Sequence, residues 1–275
     1  MRRAAAAKLA VSVLAGLGIG LAVISRPLTA PLPNTVDIAD MTWVEVQSAV
    51  KRGYTTVIVP TGGLEQNGPH MVIGKHDYIV RHTAERIAAE LGRTLVAPVV
   101  SYVPEGTYDP PSGHMRFPGT IGVPEAAYAA ILEGIARSLK AGGFETICFI
   151  ADHGGSQAPQ AATAARLNAE WRGQGVQVID VDAYYADADQ VALLLDRGVS
   201  RADIGEHASI IDTSELMAVH PQGVDLTRAQ ERLPTLQPTG VVGNPATASA
   251  ERGRELLEIR IRNAVRQIQA RMATR

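Results

Sequence analysis

The chain has 275 residues, 46% apolar and 20% charged, with a formal net charge of −2. That length suits one large α/β domain, and so balanced a charge excludes the basic footprint of a nucleic-acid-binding protein. A single cysteine, Cys148, excludes a disulfide framework or a cysteine-built zinc site within the chain.

At the N-terminus Arg2, Arg3 and Lys8 precede Leu9 to Ile24, sixteen residues without a charge, and Pro27, Pro31 and Pro33 follow. This is the basic head and apolar middle of a secretory signal, shorter than the roughly 20 residues of a comfortable transmembrane helix. Residues 1–33 therefore read as a signal peptide or N-terminal membrane anchor with a proline-rich junction. Residues 34–275 read as an exported body, periplasmic or otherwise extracytoplasmic. Ala30, the best small-residue cleavage candidate, is followed by Pro31, so removal and retention both stay open. Membrane contact is expected only through this segment.

Thr42 with Glu45 forms a capping-box pattern that opens a short helix carrying Trp43, Val46 and Val50 and stopping at Gly53. The β-branched run Thr55 to Val59 predicts a buried strand. Beyond it, the turn-rich stretch from Pro60 to Asp77 holds Glu65, His70, His76 and Asp77, at the carboxyl end of a strand where open α/β sheets bind ligands. Tyr78 to Leu91 predicts a helix closed by Gly92. A second strand is predicted within Thr94 to Val103, before a loop from Pro104 to Gly119 that carries four prolines and presents Glu105, Tyr108, Asp109, His114 and Arg116. Loops that long are usually functional or disordered.

Pro124 opens a helix that continues to Leu139, and Thr146 to Ile150 is a third strand running straight into Asp152-His153-Gly154-Gly155. A helix over Gln157 to Trp171, a strand over Val176 to Val181 and helical structure over Tyr184 to Arg201 follow. Gly205 to Ser214 gathers Glu206, His207 and Asp212, Pro234 to Pro245 is a proline-rich loop, and Ser249 to Met272 is a long amphipathic helix. The alternation of strand and helix predicts a mostly parallel sheet with helices on both faces.

Three clusters at strand ends or helix starts thus offer Glu65, His70, His76, Asp77, His153, His207 and Asp212. Imidazole mixed with carboxylate suits zinc, manganese or iron(II), and the absence of thiolates favours a catalytic site over a structural one. Several of these residues have plainer readings. Asp77 and Asp212 serve equally as helix N-caps, Asp152 can bond neighbouring amides in a turn, and His70 and His114 read as either surface or site residues. His82 and His220 read as surface histidines.

Four ordered blocks carry a resemblance: Glu65-Gln66-Asn67-Gly68-Pro69-His70, His114-Met115-Arg116-Phe117-Pro118-Gly119-Thr120-Ile121, Asp152-His153-Gly154-Gly155, and His207-Ala208-Ser209 with Asp212-Thr213-Ser214. Over roughly residues 55 to 225 they resemble the creatininase (creatinine amidohydrolase) family. The resemblance implies a three-layer α/β/α sandwich, usually a homo-oligomer, that uses divalent metal to hydrolyse amide, lactam or formamide C–N bonds of small molecules. It matches Glu65 and His153 to metal ligands. A histidine ligand of the family stands here as Asn67, and its bridging aspartate as His76, with Asp77 next.

The expected ligand set is therefore Glu65, His76 and His153, holding one ion of zinc, manganese or iron per chain. His207 matches a histidine that assists proton transfer, and Asp212 matches a carboxylate that either joins the metal or handles the proton. Backbone amides around Gly154 and Gly155 are expected at the oxyanion. The alternative is a catalytically silent binding or scaffold protein that kept the fold, which the changes at Asn67 and His76 motivate.

Overall fold

A computed structural model describes residues 34–229 and 239–274. Residues 1–33, with the segment expected to direct export, lie outside the described residues, as does part of the proline-rich loop predicted over Pro234 to Pro245.

The capping box forms as read: Thr42 and Glu45 cap each other at the start of α1 (Trp43–Lys51). Strand β1 (Thr56–Thr61) leads through the Glu65 loop into α2 (Lys75–Leu91), and β2 (Thr94–Val96), α3 (Glu125–Ala141) and β3 (Thr146–Ala151) follow. Then come α4 (Gln157–Glu170), β4 (Gln177–Asp180), α5 (Ala188–Asp196), α6 (Arg201–Ile204), α7 (Ile210–Val219) and α8 (Ala250–Ala273). The four strands are all parallel, in the order β2-β1-β3-β4.

Alternation along the central strands sorts the core into two layers. Val57 and Val59 of β1 with Ile147 and Phe149 of β3 meet Ala49 of α1, Tyr128 and Leu132 of α3 and Leu167 of α4. On the other face Ile58, Cys148 and Ile150 meet Val80, Ala84 and Ile87 of α2 and Ile261, Ala264 and Ile268 of α8. This is the three-layer α/β/α sandwich the sequence implied, and Cys148 is the core residue it was read to be. The strand order runs outward in opposite directions from β1 and β3, so a crevice opens beyond their carboxyl ends, where ligands bind in such sheets.

Four local expectations are corrected. The second strand ends at Val96 rather than extending toward Val103, because Pro98 has no N–H for the ladder. Tyr184 to Arg201 is broken into a short 3-10 turn, α5 and the start of α6. Helix α2 begins at Lys75, three residues before the predicted start, so Gly74 is the N-cap and Asp77 lies inside the first turn. Helix α7 is likewise capped at Ser209, which puts Asp212 in its first turn and not at its cap.

Gly253 of α8 lies where α8 crosses α7: a Cβ there would fall 1.8 Å from the Ser214 carbonyl oxygen. Glycine-to-alanine exchange inside an ordinary helix stabilises by roughly 0.5–1 kcal/mol, but this contact reverses the sign. Gly253→Ala should lose about 1–3 kcal/mol of stability through overpacking, read from urea unfolding midpoints.

Candidate metal centre

The crevice is a cavity of about 730 Å³, lined among others by Glu65, Lys75, His76, Glu105, His114, Asp152, His153, His207 and Asp212. Glu65, 1% exposed, is its centre. The side chain of Asn67 shapes the loop that presents it, its amide nitrogen donating to the carbonyls of Glu65, Val72 and Ile73 at 2.9, 3.2 and 3.3 Å. Asn67 is thus a brace of the loop.

The two oxygens of Glu65 face different neighbours. Oε2 lies 3.1 Å from His114 Nε2 and 3.1 Å from His153 Nε2. Oε1 lies 2.7 Å from His76 Nε2, 3.5 Å from Lys75 Nζ and 3.7 Å from His207 Nδ1. Burial alone would raise the Glu65 pKa, but His76, His207 and His153 outweigh it and hold the carboxyl well below its usual range.

On the Oε2 side, Glu65, Glu105, His114 and His153 each offer one ligand atom, all within 4.8 Å of one another. Glu105 tests whether these residues suit a cation. Its Oε2 is 3.0 Å from His153 Nε2, yet neither carboxylate oxygen has an aligned hydrogen-bond partner although both are buried. A buried carboxylate whose close neighbour is a single misaligned imidazole is costly, and a divalent ion bound among these four side chains would satisfy it. The donors fit such an ion in type, number and burial.

His76, expected as a ligand, lies outside this group. Its Nε2 is on Glu65 and its Nδ1 is 2.7 Å from Asp152 Oδ2. Burial and the nearby Lys75 oppose charge on the ring, but the two carboxylates prevail and raise its pKa. Asp152 is held in turn by Tyr184 OH at 3.1 Å and by Arg260 of α8, whose Nε is 3.0 Å from Glu215 Oε1. Asp152 therefore orients His76 and is more than a turn residue.

His207 Nε2 is 3.0 Å from the Gln66 carbonyl oxygen. The Gln66 amide nitrogen lies 3.1 Å from the same Nε2, but the shorter contact is to a carbonyl, which can only accept, so the ring proton is assigned to Nε2 and a lone pair is left on Nδ1. The turn behind it holds Ala208 at φ 50, sparsely populated for a non-glycine residue, and the Ala208 N–H donates to Asp212 Oδ2 at 2.6 Å. Asp212 also lies 3.4 Å from Lys75 Nζ. Burial pushes its pKa up, but Lys75 and His207 prevail and bring it down to about 2. Lys75 is disfavoured as a charge by burial, but Asp212 and Glu65 raise its pKa overall.

The remaining candidates are structural. Asp77 accepts the Gly63 N–H at 3.1 Å. His70, 2% exposed, places Nε2 3.0 Å from Thr213 Oγ1. The Gly155 N–H, expected at the oxyanion, points instead to His153 Nδ1 at 3.1 Å. A Cβ on Gly155 would fall 2.4 Å from the Pro104 carbonyl oxygen, so only glycine lets the β3 loop approach the Glu105 loop this closely. Sequence reasoning did not select Glu105, Lys75, Arg260 or Glu215. For Glu105 a signal was present, an acid at the head of a long proline-rich loop.

Comparison with known proteins bears on this geometry. A family model described as Creatinine amidohydrolase matches residues 39–268. The chain belongs to the creatininase family. It is 25% identical to the creatinine amidohydrolase of Pseudomonas putida over 247 residues, 83% of this chain and 94% of that protein. It is 28% identical to a mycofactocin precursor peptide peptidase of Mycolicibacterium smegmatis over 209 residues, 73% of this chain and 78% of that one. A solved manganese creatininase superposes with a TM-score of 0.72 at 24% identity, covering 86% of this chain and 98% of its own. A mutant creatininase of the same fold is a Zn–Zn type.

Buried His70 makes the stability of the fold depend on pH. Burial, with help from Lys75 and His207, pushes its pKa down to about 4, against the pull of Asp212. Between about pH 6.5 and pH 4 the unfolded chain then binds a proton that the folded one refuses, so stability is lost as pH falls. Urea unfolding should show wild-type stability dropping across that window more steeply than that of His70→Gln.

Proposed function

We propose that this chain is a metal-dependent amidohydrolase that cleaves an amide, lactam or formamide C–N bond of a small molecule. The observation that carries the reading is the convergence of Glu65, Glu105, His114 and His153 on one wall of a cavity that also contains His207. Membership of the creatininase family and the names of its relatives support the reaction class. The mixed imidazole and carboxylate donors support zinc or manganese, and the four-residue group is compatible with one ion.

When bound, a divalent ion lowers the pKa of a water and polarises a carbonyl oxygen. The chain's own groups do the rest. Glu65 serves two sides, Oε2 in the ligand group and Oε1 against His76. Asp152 and Arg260 keep His76, and through it Glu65, from turning. His207 offers the Nδ1 lone pair as the base that takes a proton from the attacking water and returns it to the leaving nitrogen. Asp212 remains ionised and fixes the Ala208 turn behind His207.

Metal analysis with turnover on lactams, formamides and small cyclic ureas separates these roles. Glu105→Gln and His153→Ala should lose metal and turnover together. His207→Ala should keep its metal and lose about 10²- to 10⁴-fold in rate, the usual worth of general acid–base help. A wild-type protein that takes up neither zinc nor manganese nor iron would contradict the enzyme reading and favour a silent binding protein.

A further inference from the structure

Lys75 is the first residue of α2, 1% exposed, and its side chain lines the cavity. Lysine is almost never so fully buried without partners. Its Nζ is 3.5 Å from Glu65 Oε1 and 3.4 Å from Asp212 Oδ2. Both distances exceed the roughly 2.7–3.2 Å of an N–H···O hydrogen bond. The two carboxylates therefore fix the charge in place without consuming its protons.

Among the described residues, the other cationic side chain lining the cavity, Arg260, is engaged by Asp152 and Glu215. The backbone amide of Gly155 is turned to His153 Nδ1. Beside the base His207 and the ligand group, Lys75 is thus, among the described residues, the charged donor left to face a substrate oxygen.

We propose that the Lys75 ammonium binds the carbonyl oxygen of the scissile amide and holds the negative charge that this oxygen gains when water adds to the carbonyl carbon. This rests on the hydrolase reading and deepens it by one catalytic residue. As the water oxygen bonds to the carbon, the C=O π pair moves onto the oxygen at Lys75 and the released proton goes to His207 Nδ1. The pair then returns to carbon, the C–N bond breaks, and the leaving nitrogen takes the proton from His207. The products are a carboxylic acid and an amine; the acid's remaining proton passes to the amine nitrogen, leaving a carboxylate with one oxygen still at Lys75 and an ammonium product. A fixed ammonium placed before the reaction needs no reorganisation when the charge develops, which is the condition for strong transition-state stabilisation.

The test compares metal-loaded wild type, Lys75→Met and Lys75→Arg on the panel of lactams, formamides and cyclic ureas, with metal content measured on each. Acetate serves as a probe of the carboxylate product. For Lys75→Met the proposal expects unchanged metal content, a kcat lower by about 10²- to 10³-fold with KM little changed, and acetate bound about tenfold more weakly. Lys75→Arg, which keeps the charge, should regain part of kcat. Lys75→Gln takes the place of Lys75→Met if the latter does not fold.

Wild-type kcat in a folded, neutral variant overturns the proposal. Loss of metal in that variant also overturns it, since Lys75 would then be a prop for Glu65. If the wild type turns over nothing in the panel, the hydrolase reading fails, and acetate alone decides on Lys75: weaker binding in Lys75→Met supports the anion site, and equal binding overturns it.

Discussion

A carboxylate that is 1% exposed at the floor of a cavity is the constraint on which the rest of this molecule depends. Burying a charge costs on the order of several kcal/mol unless close partners compensate, and Glu65 draws its partners from separate parts of the chain. Lys75 and His76 come from the start of α2, His114 from the long proline-rich loop, His153 from the end of β3 and His207 from the turn before α7. None of these elements can move far without leaving Glu65 undercompensated. The pairing of β1 with β3, Thr61 opposite Ala151, brings Glu65 and His153 together.

The compensation extends one layer deeper. Asp152 balances His76, Arg260 balances Asp152, and Glu215, which Gln190 also touches at 2.6 Å, balances Arg260. Burial pushes the Glu215 carboxyl up to about 7, against the pull of Arg260. This chain of buried charges joins the site to α5, α7 and α8, elements that are remote from it in sequence. The close crossing at Gly253 brings α8 near enough to α7 for Arg260 and Glu215 to meet, so a packing feature of two helices bears on the orientation of a histidine in the cavity.

Much of this could be read from the sequence because local chemistry announces itself. The β-branched run ahead of Glu65, the strand ending at Asp152-His153 and the glycines beyond each gave the correct element, and the ordered blocks gave the family. What could not be read depends on tertiary proximity. Glu105 stands forty residues after Glu65, and nothing local distinguishes it from other loop acids until β3 brings His153 beside it. Lys75 and His76 were placed in a loop because the first turn of α2 has no side-chain cap to signal its start. Asn67 and His76 suggested a weakened ligand set, whereas the structure gives them other uses, one bracing the loop and the other bridging two carboxylates.

The central claim is that a divalent ion belongs on the Oε2 side of Glu65, among Glu105, His114 and His153. Anomalous diffraction from crystals grown with zinc, collected at the zinc absorption edge, tests it most directly. The account predicts one strong peak within about 2.0–2.2 Å of ligand atoms from Glu65, Glu105, His114 and His153. A peak bonded instead to His76 or Asp212 on the Oε1 side, or no peak in the cavity at full zinc occupancy elsewhere, would contradict it.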